Sequence, residues 1–221
     1  MLPFKAHALL ACFSLATVTA ASANVVGITF ETFPNGTTIP DSTVITDQFE
    51  SRGIRFIDGP AIVRAGTVFT AGLSLNEFDF PPTSGVNLLA EESGVLRAEF
   101  IGGLVSVVEG WFTYSAQIRI SLFNDQGQYI GGVDSTHDAN FASSGNPPNE
   151  YIGLSTGTPR IAAFEVSFVP PTGGTVPSDA VFTLDDLRFE IHHAVPEASF
   201  GWAGFAVLAG GYFLHQRRQR R

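Results

Sequence analysis

Hydrophobic and polar residues alternate with a period of two along much of the chain. In the stretch QIRISLF, Ile118, Ile120 and Leu122 alternate with polar residues, which is the pattern of a strand with one buried face. The segment NDQGQ at 124–128 then supplies turn-forming residues, and YIGGV at 129–133 is the predicted partner strand of a hairpin. Because no longer window has the 3.6-residue period of an amphipathic helix, the pattern predicts an antiparallel β-fold.

Segments rich in Val, Ile, Phe and Thr, separated by clusters of Gly, Pro, Asn and Asp, predict eight or more strands. They cover residues 25–33, 53–58, 94–101, 104–115, 117–123, 129–133, 161–168 and 182–191. The predicted fold class is therefore all-β, an antiparallel, jelly-roll-like β-sandwich over residues 24–193. Residues 135–150 and 169–180 lack apolar periodicity and are predicted loops, either solvated connections or binding loops.

The N-terminal segment departs from the strand pattern. Lys5 precedes an apolar run over 8–18, and small residues end at Ala23. This order predicts a secretory signal peptide over residues 1–23, cleaved before Asn24. Since Cys12 is the only cysteine, the mature chain would have no thiol and no disulfide.

The C-terminal segment predicts one transmembrane helix over residues 199–214, followed by an Arg-rich tail over 215–221. The 16 uncharged residues span about 24 Å as a helix, somewhat short of a hydrocarbon core of roughly 30 Å. Local thinning of the bilayer and snorkelling of an arginine would close this gap. The arginines that would stop transfer and stay on the cytoplasmic side are Arg217, Arg218, Arg220 and Arg221.

The order of parts in the tail resembles a known sorting signal. Val195, Pro196 and Glu197, then a Gly-rich apolar segment and an Arg cluster, resemble the PEP-CTERM tail of exported Gram-negative bacterial proteins. Ala198 stands where that family usually has a second proline, so the motif covers 195–198 within a signal over 194–221. The resemblance implies an exosortase-like processing enzyme as partner, an inner-membrane intermediate, and delivery to the cell surface or extracellular matrix.

The charge of the central domain restricts its partners. Residues 24–193 contain 20 Asp and Glu, seven Arg and no Lys, a formal net charge of −13. Binding to a phosphate backbone depends on Lys and Arg, so this composition argues against nucleic acid. An exported acidic β-domain is instead compatible with a structural role or with binding to exopolysaccharide.

Four oxygen-bearing residues form a candidate calcium site. In jelly-roll carbohydrate-binding modules, which these segments resemble, the first and last strands lie close together and hold a structural calcium ion. The resemblance assigns that role to Glu31 and Asn35 near the first strand and to Asp185 and Asp186 in the last. Alternatively, these carboxylates face water or pair with arginines. The adjacent Asp185 and Asp186 also interrupt the alternation of the last strand, which predicts a β-bulge.

A second candidate site is an aromatic surface for sugars in EGWFTYS. Phe112 and Tyr114 share one face of the predicted strand, as core residues would, whereas Trp111 lies on the opposite face. Trp111 is therefore the predicted carbohydrate contact. Tyr129 and Tyr151 are further aromatics that could stack on a sugar if exposed.

A serine hydrolase is the alternative function. Ser155 lies in GLSTG, which matches the G-x-S-x-G motif. Asp185 and His192 follow it along the chain, in the order Ser, Asp, His of the serine hydrolases that have this motif. That motif needs a strand, a sharp turn and a helix, but the residues after 157 predict another strand. Carboxylates near the 135–150 loop are the other catalytic candidates. The preferred interpretation is a non-catalytic exported protein.

Overall fold

The computed structural model describes residues 23–57, 59–64, 67–68, 74–75, 79–91 and 94–193. They form thirteen β-strands and two short 3₁₀ turns, Glu50–Arg52 and Ala142–Ser144. The strands are β1 Ala23–Ile28, β2 Ile54–Ile57, β3 Ala61–Arg64, β4 Thr67–Val68, β5 Ser74–Leu75, β6 Asn87–Glu91, β7 Val95–Phe100, β8 Leu104–Tyr114, β9 Ile118–Phe123, β10 Tyr129–Asp134, β11 Glu150–Ser155, β12 Ala163–Phe168 and β13 Phe182–His192.

Two antiparallel sheets make up the sandwich. The first sheet has the order β11, β8, β13, β6, β3, with β1 also paired to β13, and the second has the order β10, β9, β12, β7, β2. A separate two-stranded ribbon joins β4 and β5. The predicted all-β antiparallel sandwich is thus confirmed, as is the predicted hairpin between β9 and β10.

The main core lies between the two sheets and follows from the alternation of the strands. Phe112 and Tyr114 of β8 point into it, 1% and 0% exposed, as the sequence pattern predicts. Phe189 of β13 meets Phe100 of β7 across the sandwich, with ring centroids 5.0 Å apart. Complete burial of side chains of this size, at roughly 25 cal/mol per Å² of apolar area, is the main contribution to stability.

A smaller core covers part of the other side of the first sheet. It consists of Val63, Phe80, Leu88, Ala90 and Val181, with Phe141 packed against it. Strand β6 is consequently buried on both faces, because its residues alternate between the two cores. This second core leaves only one part of the outer face of the first sheet, formed by β11, β8, β13 and β1, in contact with solvent.

The first and last strands pair along their length. Ala23 of β1 lies opposite His192 of β13, and Ile28 lies opposite Leu187. The first and last residues of the sandwich therefore lie side by side on neighbouring strands. Among the described residues, no helix is sufficiently long and apolar to span a bilayer. The predicted signal peptide, transmembrane helix and Arg-rich tail fall outside the described residues.

Candidate functional site

The solvent-facing part of the first sheet carries an aromatic pair, Trp111 and Tyr151. The two residues lie opposite each other on β8 and β11, and their ring centroids are 5.1 Å apart with a 56° interplanar angle. Tyr151 is 50% exposed and Trp111 is half-buried. The structure therefore places Trp111 on the outer face, opposite the core residue Phe112, as the alternation predicts.

Glu109 connects the aromatic pair to a positive charge. One of its carboxylate oxygens accepts a hydrogen bond from Arg188 Nη1 at 2.7 Å. Glu109 and Arg188 are register partners on the neighbouring strands β8 and β13. A hydrogen bond between Glu109 and the Tyr151 hydroxyl raises the pKa of that tyrosine, because the carboxylate favours the protonated phenol. Glu109 is only 14% exposed in its side chain, whereas Arg188 is 58% exposed. The carboxylate thus fixes both neighbours while the guanidinium faces solvent.

Glycines flank this ion pair on both neighbouring strands. Gly153 of β11 lies opposite Glu109, and Gly27 of β1 lies opposite Arg188. A Cβ atom at Gly153 would lie 3.0 Å from the Glu109 Cβ, so a side chain there would press on the carboxylate. A Cβ at Gly27 would meet nothing within 4 Å. The outer surface of the sheet is therefore recessed on either side of the ion pair, where the two glycines have no side chain.

The predicted calcium ligands of the first and last strands converge on one loop, residues 83–87. The Glu31 carboxylate accepts hydrogen bonds from the backbone N–H groups of Val86 and Asn87, at 2.7 and 2.8 Å. Gly85, at φ +60°, lies so close that a Cβ there would overlap this carboxylate. Glu31 therefore acts as an anchor for the loop, and the glycine makes room for it.

Asp185 and Asp186 hold the same loop from the other side. Asp185 Oδ2 accepts hydrogen bonds from the N–H groups of Thr83 and Ser84, at 2.7 and 2.9 Å, and Asp186 Oδ1 accepts one from the Ser84 hydroxyl at 2.7 Å. The register of β13 against β8 shifts between Asp185 and Arg188, and Asp186 has a left-handed φ of 47°. The predicted bulge is confirmed, and it lets both carboxylates reach the loop.

The fourth predicted calcium ligand, Asn35, is engaged elsewhere. Its side-chain oxygen accepts hydrogen bonds from the N–H and hydroxyl groups of Thr37, within its own turn. Calcium takes six to eight oxygen ligands, but N–H donors face Glu31 and Asp185. Among the described residues, no group of three or more His, Cys, Asp or Glu is arranged to hold a metal ion. Calcium at these positions stays a prediction.

The long 135–150 segment is fastened to β8. Asn140 is fully buried; its amide nitrogen donates to the Phe112 carbonyl at 2.9 Å, and its side-chain oxygen accepts from the Tyr114 N–H at 2.7 Å. Asn140 thereby continues the hydrogen bonding that β11 provides to β8. The segment is a structural connection along the β8 edge.

A buried phenol also joins this segment to β8. The Tyr114 hydroxyl donates to Glu150, and burial together with this hydrogen bond raises the pKa of Tyr114 to about 12. Burial alone would raise the pKa of Glu150, but hydrogen bonds from Tyr114 and Thr136 outweigh it and lower that pKa. Glu150, the last residue of this segment, is therefore ionised at neutral pH, and its carboxylate accepts hydrogen bonds from Tyr114 and Thr136.

Ser155 lies at the end of β11, opposite Val107. Its hydroxyl oxygen accepts a hydrogen bond from the Gly157 N–H at 3.2 Å, and a turn follows it where the nucleophile motif requires a helix. Among the described residues, no base forms a hydrogen bond with the Ser155 hydroxyl, so none is in place to activate it.

A different serine contacts a histidine. Ser106 Oγ lies 3.0 Å from His192 Nε2 and donates to Glu190 at 2.6 Å. In a hydrolase triad the carboxylate orients the imidazole, whereas here it accepts directly from the serine. Ser106 is also only 5% exposed. This group therefore ties β8 to the end of β13.

The predicted sorting residues Val195, Pro196 and Glu197, and the tail arginines, lie outside the described residues.

The outer face contains functional candidates that the sequence pattern did not connect. Glu109, Arg188, Gly27 and Gly153 join Trp111 only through the order of strands in the first sheet. The alternation along β8 could have indicated Glu109, because it lies two residues before Trp111 and so shares its face.

Comparison with known proteins gives distant structural similarities. The chain matches no protein-family model and no curated protein. The K2 cleaved adhesin domain of Lys-gingipain is similar over 75% of this chain and 99% of its own, with 12% identity and a TM-score of 0.41. A mutant family 29 carbohydrate-binding module covers 80% of this chain and 100% of its own, at 7% identity and a TM-score of 0.32.

A Stig cyclase from Fischerella sp. TAU covers 81% of this chain and 93% of its own, at 10% identity and a TM-score of 0.34. At these TM-scores, none of the similarities assigns a function to this chain.

Proposed function

We propose that this protein is an exported, non-catalytic surface or matrix protein whose sandwich binds glycans at the outer face of the first sheet. The observation that carries the proposal is the aromatic pair on the outer face, half-buried Trp111 and exposed Tyr151, beside the Glu109–Arg188 ion pair. Sugars present apolar C–H faces and polar hydroxyl rims. Aromatic rings beside a few fixed polar groups are suited to both.

Two features support this face as a binding surface. Tyr151 is exposed and Trp111 is half-buried, although the neighbouring part of the same sheet is covered by a second core. The Tyr151 hydroxyl is held by Glu109, so its ring position is fixed before a ligand arrives. Such preorganisation reduces the entropy cost of binding.

Export and sorting rest on the sequence of the two ends. The proposed route is a cleaved signal peptide, a stop-transfer helix, and recognition of the PEP-CTERM-like tail by an exosortase-like enzyme. The acidic domain, at −13, fits a soluble surface module and disfavours nucleic acid as a partner. Deletion of residues 194–221 should shift the protein from the membrane fraction to the periplasm. Unchanged fractionation would contradict the sorting proposal.

Glycan binding is tested with a fragment of residues 24–193 on the exopolysaccharide of the producing bacterium. We expect retention of the wild type, and loss of at least about tenfold in affinity for Trp111→Ala and Tyr151→Ala, since each removes a stacking surface. Tyr129→Ala is the matched control, because Tyr129 is a 59% exposed aromatic on the second sheet. Equal retention of the wild type and the three variants would contradict the outer face as the binding site. No retention of the wild type would contradict glycan binding altogether.

A further inference from the structure

The exposed part of the first sheet contains a trough that crosses its strands. We define the trough as the row Gly153, Glu109, Arg188 and Gly27, which are consecutive register partners on β11, β8, β13 and β1. Trp111 and Tyr151 lie along one side of this row. Val107 and Glu190 belong to the next row on the opposite side. The floor of the trough is the ion pair, and its two glycines lack side chains that could close it.

The ends of the trough are open because β11 and β1 are the outermost strands in this part of the sheet. Four strands at the usual spacing span about 14 Å, roughly the length of three pyranose units. A chain lying in the trough could therefore enter over one edge and leave over the other. Such a site accommodates the interior of a polymer and does not require a chain end.

The charges of the trough favour an uncharged ligand. Arg188 is the only arginine within the described strands of this face, and Glu109 already neutralises it at 2.7 Å. Glu190 lies in the adjacent row, and the whole domain carries −13. Within the four strands of this face, a uronate or sulfate would meet no uncompensated arginine, and the long-range field of the domain would repel it; Arg52 lies outside these strands, in the pocket beside Gly27. Hydroxyl groups, in contrast, can donate to Glu109 and accept from Arg188.

We propose that the trough binds an interior stretch, about three sugars long, of a neutral unbranched polysaccharide that runs across the strands from β11 to β1. This inference rests on the proposed function and specifies the ligand class and its direction. The aromatic pair stacks on the sugar rings, while Glu109 and Arg188 hydrogen-bond their hydroxyls. Gly27 leaves the β1 end free.

Gly27 offers a test that adds bulk without removing a contact. Its Cβ position is open and its φ is not left-handed, so Gly27→Trp fits the backbone but fills the end of the trough. Using the full chain in mild detergent, we expect an unbranched neutral polysaccharide (barley β-glucan, lichenan or pullulan) to retard the wild type in affinity electrophoresis. Gly27→Trp should weaken that binding at least about tenfold, whereas Tyr129→Trp, on the second sheet, should not change it. Unchanged binding by Gly27→Trp would overturn the trough.

Glu109 provides a test of ligand charge. Glu109→Gln keeps the shape of the side chain but releases Arg188 as an uncompensated cation. The wild type should bind the neutral polysaccharides and not alginate, and Glu109→Gln should gain alginate binding. This gain would not arise from a merely structural role of Glu109. Circular dichroism and thermal melting of each variant establish that it is folded.

The outcomes separate the two proposals. Binding of alginate in preference to the neutral polysaccharides, with loss on Trp111→Ala, would overturn the neutral trough while supporting glycan binding at this face. Binding of the neutral polysaccharides with no response to Gly27→Trp would overturn the direction of the chain. Absence of binding to all four polysaccharides, with retention on the exopolysaccharide of the producing bacterium, would overturn this inference and leave the proposed function standing; absence of both would overturn the proposed function as well.

Discussion

Asp185 shows how a single buried carboxylate can be tolerated in a strand. It is 1% exposed, and its two oxygens accept hydrogen bonds from the N–H groups of Thr83, Ser84 and Asp186. Burial nevertheless dominates and raises the pKa of Asp185 to about 6, with the charge of Asp186 acting in the same direction. The loop at residues 83–87 is therefore held by a group that titrates near neutral pH.

The titration of Asp185 predicts a pH dependence of stability. Between the ordinary value of 3.8 and the native value of about 6, the native state binds more protons than the unfolded state. The free energy of unfolding should then fall as pH rises through this window, by about 3 kcal/mol for roughly two pKa units. Urea unfolding from pH 4 to 7 would show this decline in the wild type and not in Asp185→Asn.

A matched control for this prediction is Asp134→Asn. Asp134 is an exposed carboxylate whose pKa is lowered by its hydrogen bond to Arg119, so its removal should leave the decline between pH 4 and 6 in place. An identical slope in the wild type and in Asp185→Asn would mean that Asp185 is not the group responsible.

For a single residue such as Trp111, the sequence predicted which face of the sheet the side chain lies on but not which residues surround it. Trp111 could be placed on the outer face because Phe112 and Tyr114 needed the core. Its surroundings depend on Tyr151 and Arg188, which come from strands far along the chain. Local alternation carries no information about which strands become neighbours, so the aromatic pair and the ion pair could not be foreseen.

Among the connecting elements, the 135–150 segment depends on one asparagine that acts as a substitute for strand pairing. Asn140→Ala would leave the buried Tyr114 N–H without the side-chain oxygen that accepts from it, and would remove one hydrogen bond to the Phe112 carbonyl, which lies opposite Glu150 of β11. We expect a loss of about 1–3 kcal/mol in the free energy of unfolding, the cost of one unsatisfied buried group. Chemical denaturation measures this loss. Asn146→Ala, which removes one hydrogen bond to Ala139 in the same segment, should cost clearly less.

The loop at 83–87 is the element on which the calcium hypothesis can be tested. A ligand that binds only the native state raises the melting temperature. On the calcium hypothesis, calcium should raise the melting temperature of the wild type, and a chelator should reverse the change. Asp186→Asn should abolish it, and asparagine tolerates the left-handed φ at this position. A wild type that melts identically with calcium and with chelator would contradict the hypothesis.

Strands with one buried and one exposed face could be predicted from the sequence. Strands that are buried on both faces, and some that lie at a sheet edge, could not. Strands β8, β9 and β13 alternate clearly and were predicted within a few residues. Strand β6 is buried on both sides, so its NLLAE sequence shows no alternation. Strand β11 contains Gly153 and ends in a turn-like motif, which concealed an edge strand. Within the two sheets, the strands that the pattern missed, β3, β6 and β11, thus lie under the second core or at an edge.

Considered as a whole, the molecule depends on its last strand. β13 pairs with β8 on one side and with β6 and β1 on the other. A fragment of residues 24–181 should therefore fail to form the sandwich, whereas one of residues 24–193 should fold. Circular dichroism with limited proteolysis distinguishes these outcomes. A protease-resistant, cooperatively melting 24–181 fragment would contradict the central role of β13.

If the protein is exported as proposed, the pairing of Ala23 with His192 sets the order in which the paired strands become available. On the proposed route, β1 reaches the periplasm first and β13 last, so the first strand waits unpaired until the end of translocation. During that interval its edges, and those of β8, could join other chains. The excess of Asp and Glu in residues 24–193, which gives this part a net charge of −13 with no lysine, would keep such unfinished chains apart. The acidity of the domain would then protect the protein before it has any structure.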